Sequence, residues 1–172
     1  MNVSRLLILT AMISLALITA TAVTNMPAPS YAQTQFSANM TGAGVFPPVQ
    51  TNATGKAMLT LVGGGQVMKY NISGTNVDHV SDVVITHSTG GRYTDLVTLR
   101  SGVQQGLSGK AKTASLVGNF TAADITGGGN LVGFKKDMPS LVKDILSGNV
   151  YVKVDTVKFP LGAVAGKLKS GT

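Results

Sequence analysis

The side chains that could perform chemistry are few in this chain of 172 residues. It has no cysteine and no glutamate, and its titratable candidates are two histidines, His79 and His87, together with seven aspartates. The lack of thiols excludes disulfides, thiolate nucleophiles, zinc–thiolate sites and blue-copper sites. A catalytic zinc or copper centre needs three or four ligands and an open position, so any metal site here would depend on aspartate.

Other catalytic arrangements lack their parts as well. Ser88 adjoins His87, but neighbouring residues of a strand point to opposite faces, which separates this hydroxyl from the imidazole. No two aspartates stand out as a pair of catalytic carboxylates. The glycine-rich segments lack the lysine and the following helix that a phosphate-binding loop requires. We therefore expect a protein that is not an enzyme and that carries no cofactor.

The net charge of +7 raises the question of an anionic partner. The lysines are scattered along the chain, Lys135-Lys136 being their one adjacent pair, and there is no tryptophan to stack on bases. This pattern favours a solvated basic surface and argues against nucleic acid as a partner. In the part of the chain after residue 32, Asn-x-Ser/Thr motifs, which predict glycosylation if the chain is exported, begin at Asn39, Asn52, Asn71 and Asn119.

The N-terminal residues 1–32 have the pattern of a secretory signal. Arg5 precedes an uncharged apolar run from Leu6 to Val23, and Ser30-Tyr31-Ala32 places small residues where signal peptidase requires them. Cleavage would fall before Gln33 and leave residues 33–172 as one domain that is secreted or held at the cell surface or in the periplasm. The alternative is an uncleaved membrane anchor, since about 18 apolar residues is near the lower limit for a transmembrane helix.

Short segments rich in Val, Thr and Leu, separated by glycine clusters, predict an all-β antiparallel sandwich or barrel. Gly63-Gly64-Gly65 predicts a hairpin. One short helix is expected between an Asp137 cap and Gly148, burying Leu141, Val142, Ile145 and Leu146. Methionines at 40, 58 and 68 are expected in the core. The predicted strands are Phe36–Met40, Ala57–Leu61, Val67–Ile72, Val80–His87, Asp95–Leu99, Ser115–Phe120, Val150–Thr156 and Val164–Lys169.

Four stretches in this order resemble the CHRD domain family from about Phe36 to Leu168. They are the segment from Phe36-Ser37-Ala38 through Pro47-Pro48 to Thr54-Gly55-Lys56, the His87 strand, Gly118-Asn119-Phe120-Thr121, and Asn149-Val150-Tyr151 leading to Phe159-Pro160. The resemblance implies a Greek-key sandwich similar to the copper/zinc superoxide dismutase fold. It also implies an extracellular binding or structural role, with an extracellular protein or glycan as partner and the membrane involved only if the N-terminal segment is uncleaved.

Much of the polar signature of that family is missing from this chain. Where the family often has His-x-His on the fourth strand, this chain has Ile85 and His87. Asp155 stands where the family has a histidine, and Val45 stands where it has an acidic residue. A usual Gly-Glu-Ile-Arg-Gly is Gly162-Ala163-Val164-Ala165-Gly166, without either charge. The resemblance implies that His87 and Asp155 meet and form a binding site. The alternative function is a metal-binding domain with a degenerate dismutase-like site, using His87 and Asp155 with His79 as a third ligand.

Overall fold

The computed structural model describes residues 34–100 and 113–171, so the N-terminal segment on which the signal prediction rests lies outside the described residues. The described part is an antiparallel β-sheet that curls into a half-barrel, with one short α-helix, which confirms the all-β prediction. The helix is α1 (Met138–Leu146), and the strands are β1 (Thr34–Thr41), β2 (Thr54–Val62), β3 (Val67–Thr75), β4 (Val80–Thr89), β5 (Arg92–Arg100), β6 (Thr113–Thr121), β7 (Val150–Thr156), β8 (Val164–Lys167) and β9 (Lys169–Ser170).

Seven of the eight predicted strands fall within these elements, and most of the observed strands are longer. The last predicted strand divides into β8 and β9 at Leu168, whose backbone N–H donates to the carbonyl of Val150. Strand β8 pairs with β7 and β1, whereas β9 pairs with β1 alone. The C-terminal segment therefore joins β7 to β1 through β8 and extends its pairing with β1 through β9.

The strand order explains how distant parts of the chain meet. Reading across the sheet, the order is β5-β4-β7-β8-β1-β2-β3-β6, so β4 lies beside β7 and β3 beside β6 although neither pair is consecutive in sequence. Such crossovers fit the predicted Greek-key arrangement. The β2–β3 hairpin turns through Gly63, Gly64 and Gly65, all with positive φ, which glycine adopts without a steric cost.

Inward-pointing side chains alternate with outward-pointing ones along each strand. Ala57, Leu59 and Leu61 of β2 are buried, so Met58 between them points outward and is 48% exposed. The expectation that Met58 is a core residue is therefore wrong. Met40 and Met68 are fully buried, as predicted.

Helix α1 covers the end of the sheet where β7 begins. The Asp137 carboxylate caps the helix by accepting a 2.8 Å hydrogen bond from the backbone N–H of Ser140, as the sequence predicted. The buried stripe is Met138, Leu141 and Ile145, and Leu146 is 62% exposed, so its predicted burial is wrong. In residues 34–100 and 113–171 no helix is long and apolar enough to cross a membrane.

Candidate functional site

The first polar cluster joins the end of β4 to helix α1. His87 shares the inward face of β4 with the fully buried Ile85, and it lies opposite Val150 in the sheet. The Asp144 carboxylate on α1 contacts the imidazole Nδ1 of His87 at 2.6 Å, and the two side chains are only 12% and 14% exposed. Packing of Leu141 and Ile145 into the core fixes the height and rotation of the helix. Docking of α1 therefore delivers Asp144 to His87.

The imidazole of His87 is held on both sides. Because the Asp144 carboxylate accepts at Nδ1, the proton of a neutral ring lies there, and Nε2 is left to accept from the hydroxyl of Thr89. A carboxylate, an imidazole and a hydroxyl in this order also form the core of a hydrolase triad. Here, however, Thr89 is two residues from His87 on the same strand face, so strand geometry alone brings them together. The contact that the tertiary fold creates is the one with Asp144.

A cleft of about 500 Å³ opens beside this pair, between α1 and the segment 131–135. Phe134 and the fully exposed Val132 give it apolar surface, while Lys135, Lys143 and Ser140 add polar groups. Concave surfaces with apolar walls and a few convergent polar groups are the usual location of binding sites.

The cleft is lined by two lysines, Lys135 and Lys143, and two aspartates, Asp137 and Asp144, and neither lysine forms a close ion pair with a described residue. Hydrogen bonds from Ser140 lower the pKa of Asp137, and the nearby charge of Lys135 lowers it further. Asp144 is held by His87, and Asp137 is held by the helix terminus that it caps. The ion pairs of the described residues use Lys153 and the two histidines, and none of them uses Lys135 or Lys143. The adjacent Lys136 donates to the carbonyl of Thr126 at 2.5 Å. Lys135 and Lys143 are therefore the cations that a ligand in the cleft would meet.

The structure does not bring His87 and Asp155 together. On the paired strands His87 lies opposite Val150, whereas Asp155 lies opposite Asp82. Five residues of strand separate the two positions along β7, which corresponds to about 17 Å. The meeting that the family resemblance implied does not occur. The register between β4 and β7 places His87 at one end of the paired strands and Asp155 at the other.

His79 lies at the far end of β4, away from His87. It has a positive φ of 48° and contacts the neighbouring Asp78 through Nδ1 at 2.7 Å, with its side chain 46% exposed. Within the described part of the chain, no three histidine or aspartate side chains are grouped so that they could hold a metal ion. The geometry thus gives the ligand set of His79, His87 and Asp155 no common centre.

Asp155 instead forms a buried ion pair with Lys153 on the outer face of β7. The Lys153 Nζ lies 2.6 Å and 2.9 Å from the two carboxylate oxygens, and both side chains are 8% exposed. Burial raises the pKa of Asp155, Lys153 lowers it only part of the way back, and the carboxylates of Asp95 and Asp82 raise it further. Burying these two charges costs hydration free energy, and each charge is tolerated in the folded protein only because the other lies beside it.

Two loops cover that outer face and bury the pair. The first, between β1 and β2, contains Gly44 and Val45, and the second, between β7 and β8, contains Gly162. Gly162 approaches so closely that a Cβ there would lie 2.7 Å from the side chain of Val45 and 3.5 Å from that of Lys153. The Tyr93 hydroxyl donates a 2.6 Å hydrogen bond to the carbonyl of Gly44 and ties the first loop to β5. Burial, followed by the neighbouring Tyr151, raises the pKa of Tyr93 to about 12.

All four asparagines of the glycosylation motifs are exposed. Asn39, Asn71 and Asn119 lie on β1, β3 and β6, where their positions in the register place them on the outer face of one part of the sheet. Asn52 lies in the loop before β2. Exposure is a requirement for carrying a glycan, and each motif meets it.

Sequence reasoning missed Asp144, Lys135 and Lys143 as parts of one site. The predicted helix contained two of them, and its apolar spacing indicated which face is buried. That spacing does not say which strand end the helix covers, and the partner of Asp144 is 57 residues away in sequence. The cleft depends on the position of α1 on the sheet, which the sequence pattern does not specify.

Comparison with known proteins supports the family resemblance. The family model described as the CHRD domain matches residues 36–168, which covers most of the chain and the strands from β1 to β8 apart from the first two residues of β1. No curated protein and no solved structure matches this chain. The match has the extent and the position that the four sequence stretches predicted, and we conclude that the chain belongs to the CHRD domain family.

Proposed function

We propose that this chain is an exported, non-enzymatic binding module whose cleft beside α1 takes an acidic glycan of the cell surface or extracellular space. CHRD domains are in general non-catalytic, which supports a binding or structural role. The signal-like residues 1–32 support a location outside the cytoplasm.

The observation that carries the proposal is that two exposed lysines without a close ion pair among the described residues and an aromatic side chain line one concave surface. Lys135 and Lys143 are exposed, and Phe134 of the segment 131–135 lines the cleft as a half-buried ring. Carboxylates or sulfates of an acidic sugar chain would meet the two ammonium groups, while a sugar ring would pack on Phe134 and Val132. Ser140 adds a hydroxyl for hydrogen bonds to sugar oxygens.

The rigid placement of the cleft supports recognition without large rearrangement. Its floor is fixed by the buried side chains of α1 and by the contact between His87 and Asp144. For Ser140 and Lys143, which lie on α1, a fixed backbone reduces the conformational freedom lost on binding, so more of the interaction free energy appears as affinity.

The test is binding of the purified protein to polygalacturonate, an acidic polysaccharide, with dextran as the neutral comparison. We expect Lys135→Ser/Lys143→Ser to weaken binding by about five- to thirtyfold, because exposed charge contacts are worth about 0.5–1 kcal/mol each. The matched control is Lys56→Ser/Lys69→Ser, which removes the same charge from the outer sheet face and should change the affinity by less than about twofold.

Three outcomes would overturn the cleft assignment. Equal losses in both double variants would show that only net charge matters. Retention on dextran as strong as on polygalacturonate would show that the lysines do not select an acidic ligand. Binding of an acidic peptide but not of the polysaccharide would show that the partner is a protein and not a glycan. Export itself is tested by the mature N-terminus, for which mass spectrometry should give Gln33.

A further inference from the structure

The outer face of β1, β2, β3 and β6 differs from the rest of the described surface in its charge and composition. These four strands contain no aspartate, and their outward positions are occupied mainly by Asn, Ser, Thr and Lys. Apolar residues at outward positions are Val62 and Val67, which are half-buried and pair with each other beside the β2–β3 turn, and the more exposed Met58 and Val117. Of the last two, Met58 is 48% exposed and Val117 is 69% exposed.

Met58 and Val117 flank a single residue. Asn71 of β3 lies directly opposite Met58 of β2 on one side and directly opposite Val117 of β6 on the other. Neighbouring strands are about 4.8 Å apart, so both apolar side chains lie about one strand spacing from Asn71 on the same face. Isolated exposed apolar residues are ordinary, but here two of them lie on either side of one asparagine in a row across three strands.

Asn71 also begins a glycosylation motif whose geometry suits a folded acceptor. In Asn71-Ile72-Ser73 the middle residue is 3% exposed and points into the core, so the asparagine and the serine both point outward. Within the described part of the chain, the side-chain amide of Asn71 forms no hydrogen bond with the protein, whereas the amides of Asn76 and Asn149 do.

We propose that Asn71 is an N-glycosylation site and that its first sugar residues cover Met58 and Val117. In the reaction, the Asn71 Nδ2 loses a proton and forms a bond to C1 of a lipid-linked oligosaccharide, and the lipid pyrophosphate departs as the leaving group. A sugar ring is about as wide as one strand spacing, so a chain rising from Asn71 lies over both neighbours. The apolar faces of its rings then shield side chains that the protein leaves in water.

The inference rests on the export part of the proposed function, because glycan transfer takes place outside the cytoplasm. It assigns the face with Asn39, Asn71 and Asn119 to glycan, which leaves the cleft beside α1 at another part of the surface as the binding site. Asn52 provides an internal comparison, because it has the same motif in a loop without the apolar row.

The experiment expresses the full chain in a glycosylating host, once with its own N-terminal segment and once with residues 1–32 replaced by a signal of that host. Peptide mapping by mass spectrometry then reads each motif. We expect glycan mass on the Asn71 peptide in most molecules, complete loss of that mass in Asn71→Gln and Ser73→Ala, and its retention in Ser73→Thr, which keeps the motif. Removal of the glycan should raise binding of an apolar fluorescent dye, and Met58→Thr/Val117→Thr should abolish that rise.

The outcomes separate this inference from the proposed function. Glycan at Asn52 with none at Asn71, or no glycan on protein exported by the host signal, would overturn the inference. If only the host signal yields exported and glycosylated protein, the export proposal fails while the assignment of Asn71 stands. If the dye signal does not change on glycan removal, the covering of Met58 and Val117 is wrong.

Discussion

Replacing Lys153 by methionine removes the cation from the buried pair on the outer face of β7 and keeps most of the side-chain length. The Asp155 carboxylate, 8% exposed, then faces only covering loops and the carboxylates of Asp82 and Asp95. A buried charge without a partner is strongly destabilising. We therefore expect Lys153→Met to lower the free energy of unfolding far more than an ordinary lysine substitution.

The size of the effect follows from the geometry and from the ordinary pKa of the carboxyl. Two unit charges 2.6 Å apart attract by about 6 kcal/mol at an effective dielectric constant of about 20, and loss of hydration offsets most of this in the intact pair. Breaking such a pair costs about 3–5 kcal/mol. Protonation of Asp155 limits the loss at pH 7 to about 4 kcal/mol, since its ordinary pKa is 3.8 and each pH unit is worth about 1.4 kcal/mol.

The pH dependence has a definite sign. Because burial raises the pKa of Asp155, its protonated form is favoured in the folded state. The resulting stabilisation is fully present below pH 3.8 and is lost as the pH rises through the folded-state pKa. Lys153→Met enlarges this trend, so the loss of about 3–4 kcal/mol at pH 7 should shrink to below about 1 kcal/mol at pH 4.

Urea denaturation followed by tyrosine fluorescence at both pH values measures this difference. The control is Lys153→Met/Asp155→Leu, which removes both charges and should return to within about 1 kcal/mol of the unmodified protein. A loss in the single variant that is equal at pH 4 and pH 7 would refute the electrostatic reasoning. A double variant as unstable as the single one would do so as well.

Two other side chains are open to similar measurements. Tyr93→Phe removes the hydrogen bond to the Gly44 carbonyl and should lower the free energy of unfolding by about 1–2 kcal/mol in urea denaturation at pH 7. Because the pKa of Tyr93 is raised to about 12, the unmodified protein should also lose stability between pH 10 and pH 12, and the variant should not show this loss. A variant with unchanged stability and an unchanged alkaline transition would contradict this role. At Asp137, the hydrogen bonds from the Ser140 backbone and side chain lower the pKa, so the stabilisation is present above pH 3.8 and is lost as the pH falls through the folded-state pKa. Asp137→Asn, which keeps a capping group, should show a shallower loss of stability in acid by circular dichroism, and an identical acid limb would count against the capping charge.

The strands and the helix were predictable because their signals are local. Alternation along β7 placed Val150, Val152 and Val154 in the core, and all three are buried. Asp137 capped the helix as expected because a cap depends on residues within one turn. The error at Met58 shows the limit of composition, since the parity of its buried neighbours Ala57 and Leu59 already points it outward.

The site could not be predicted, because it depends on contacts between distant segments. Alternation placed Lys153 and Asp155 away from the core, but nothing periodic in the loops around Val45 and Gly162 indicates that they fold over this face. The pairing of His87 with Asp144 depends on where α1 docks, and the expected pairing of His87 with Asp155 failed on strand register. Such information lies in tertiary packing and not in any local window of sequence.

The loops over β7 give this strand two buried faces in a protein whose other strands mostly have one. Six of its seven residues are buried, from Val150 to Thr156 with Tyr151 as the exception. Its backbone is paired with β4 on one side and, from Tyr151 to Val154, with β8 on the other. Its amide protons therefore have no route to solvent through local opening of a loop or an edge. Their exchange with deuterium should require unfolding of the whole domain, so that β7 reports global stability in a chain that has no disulfide to hold it together.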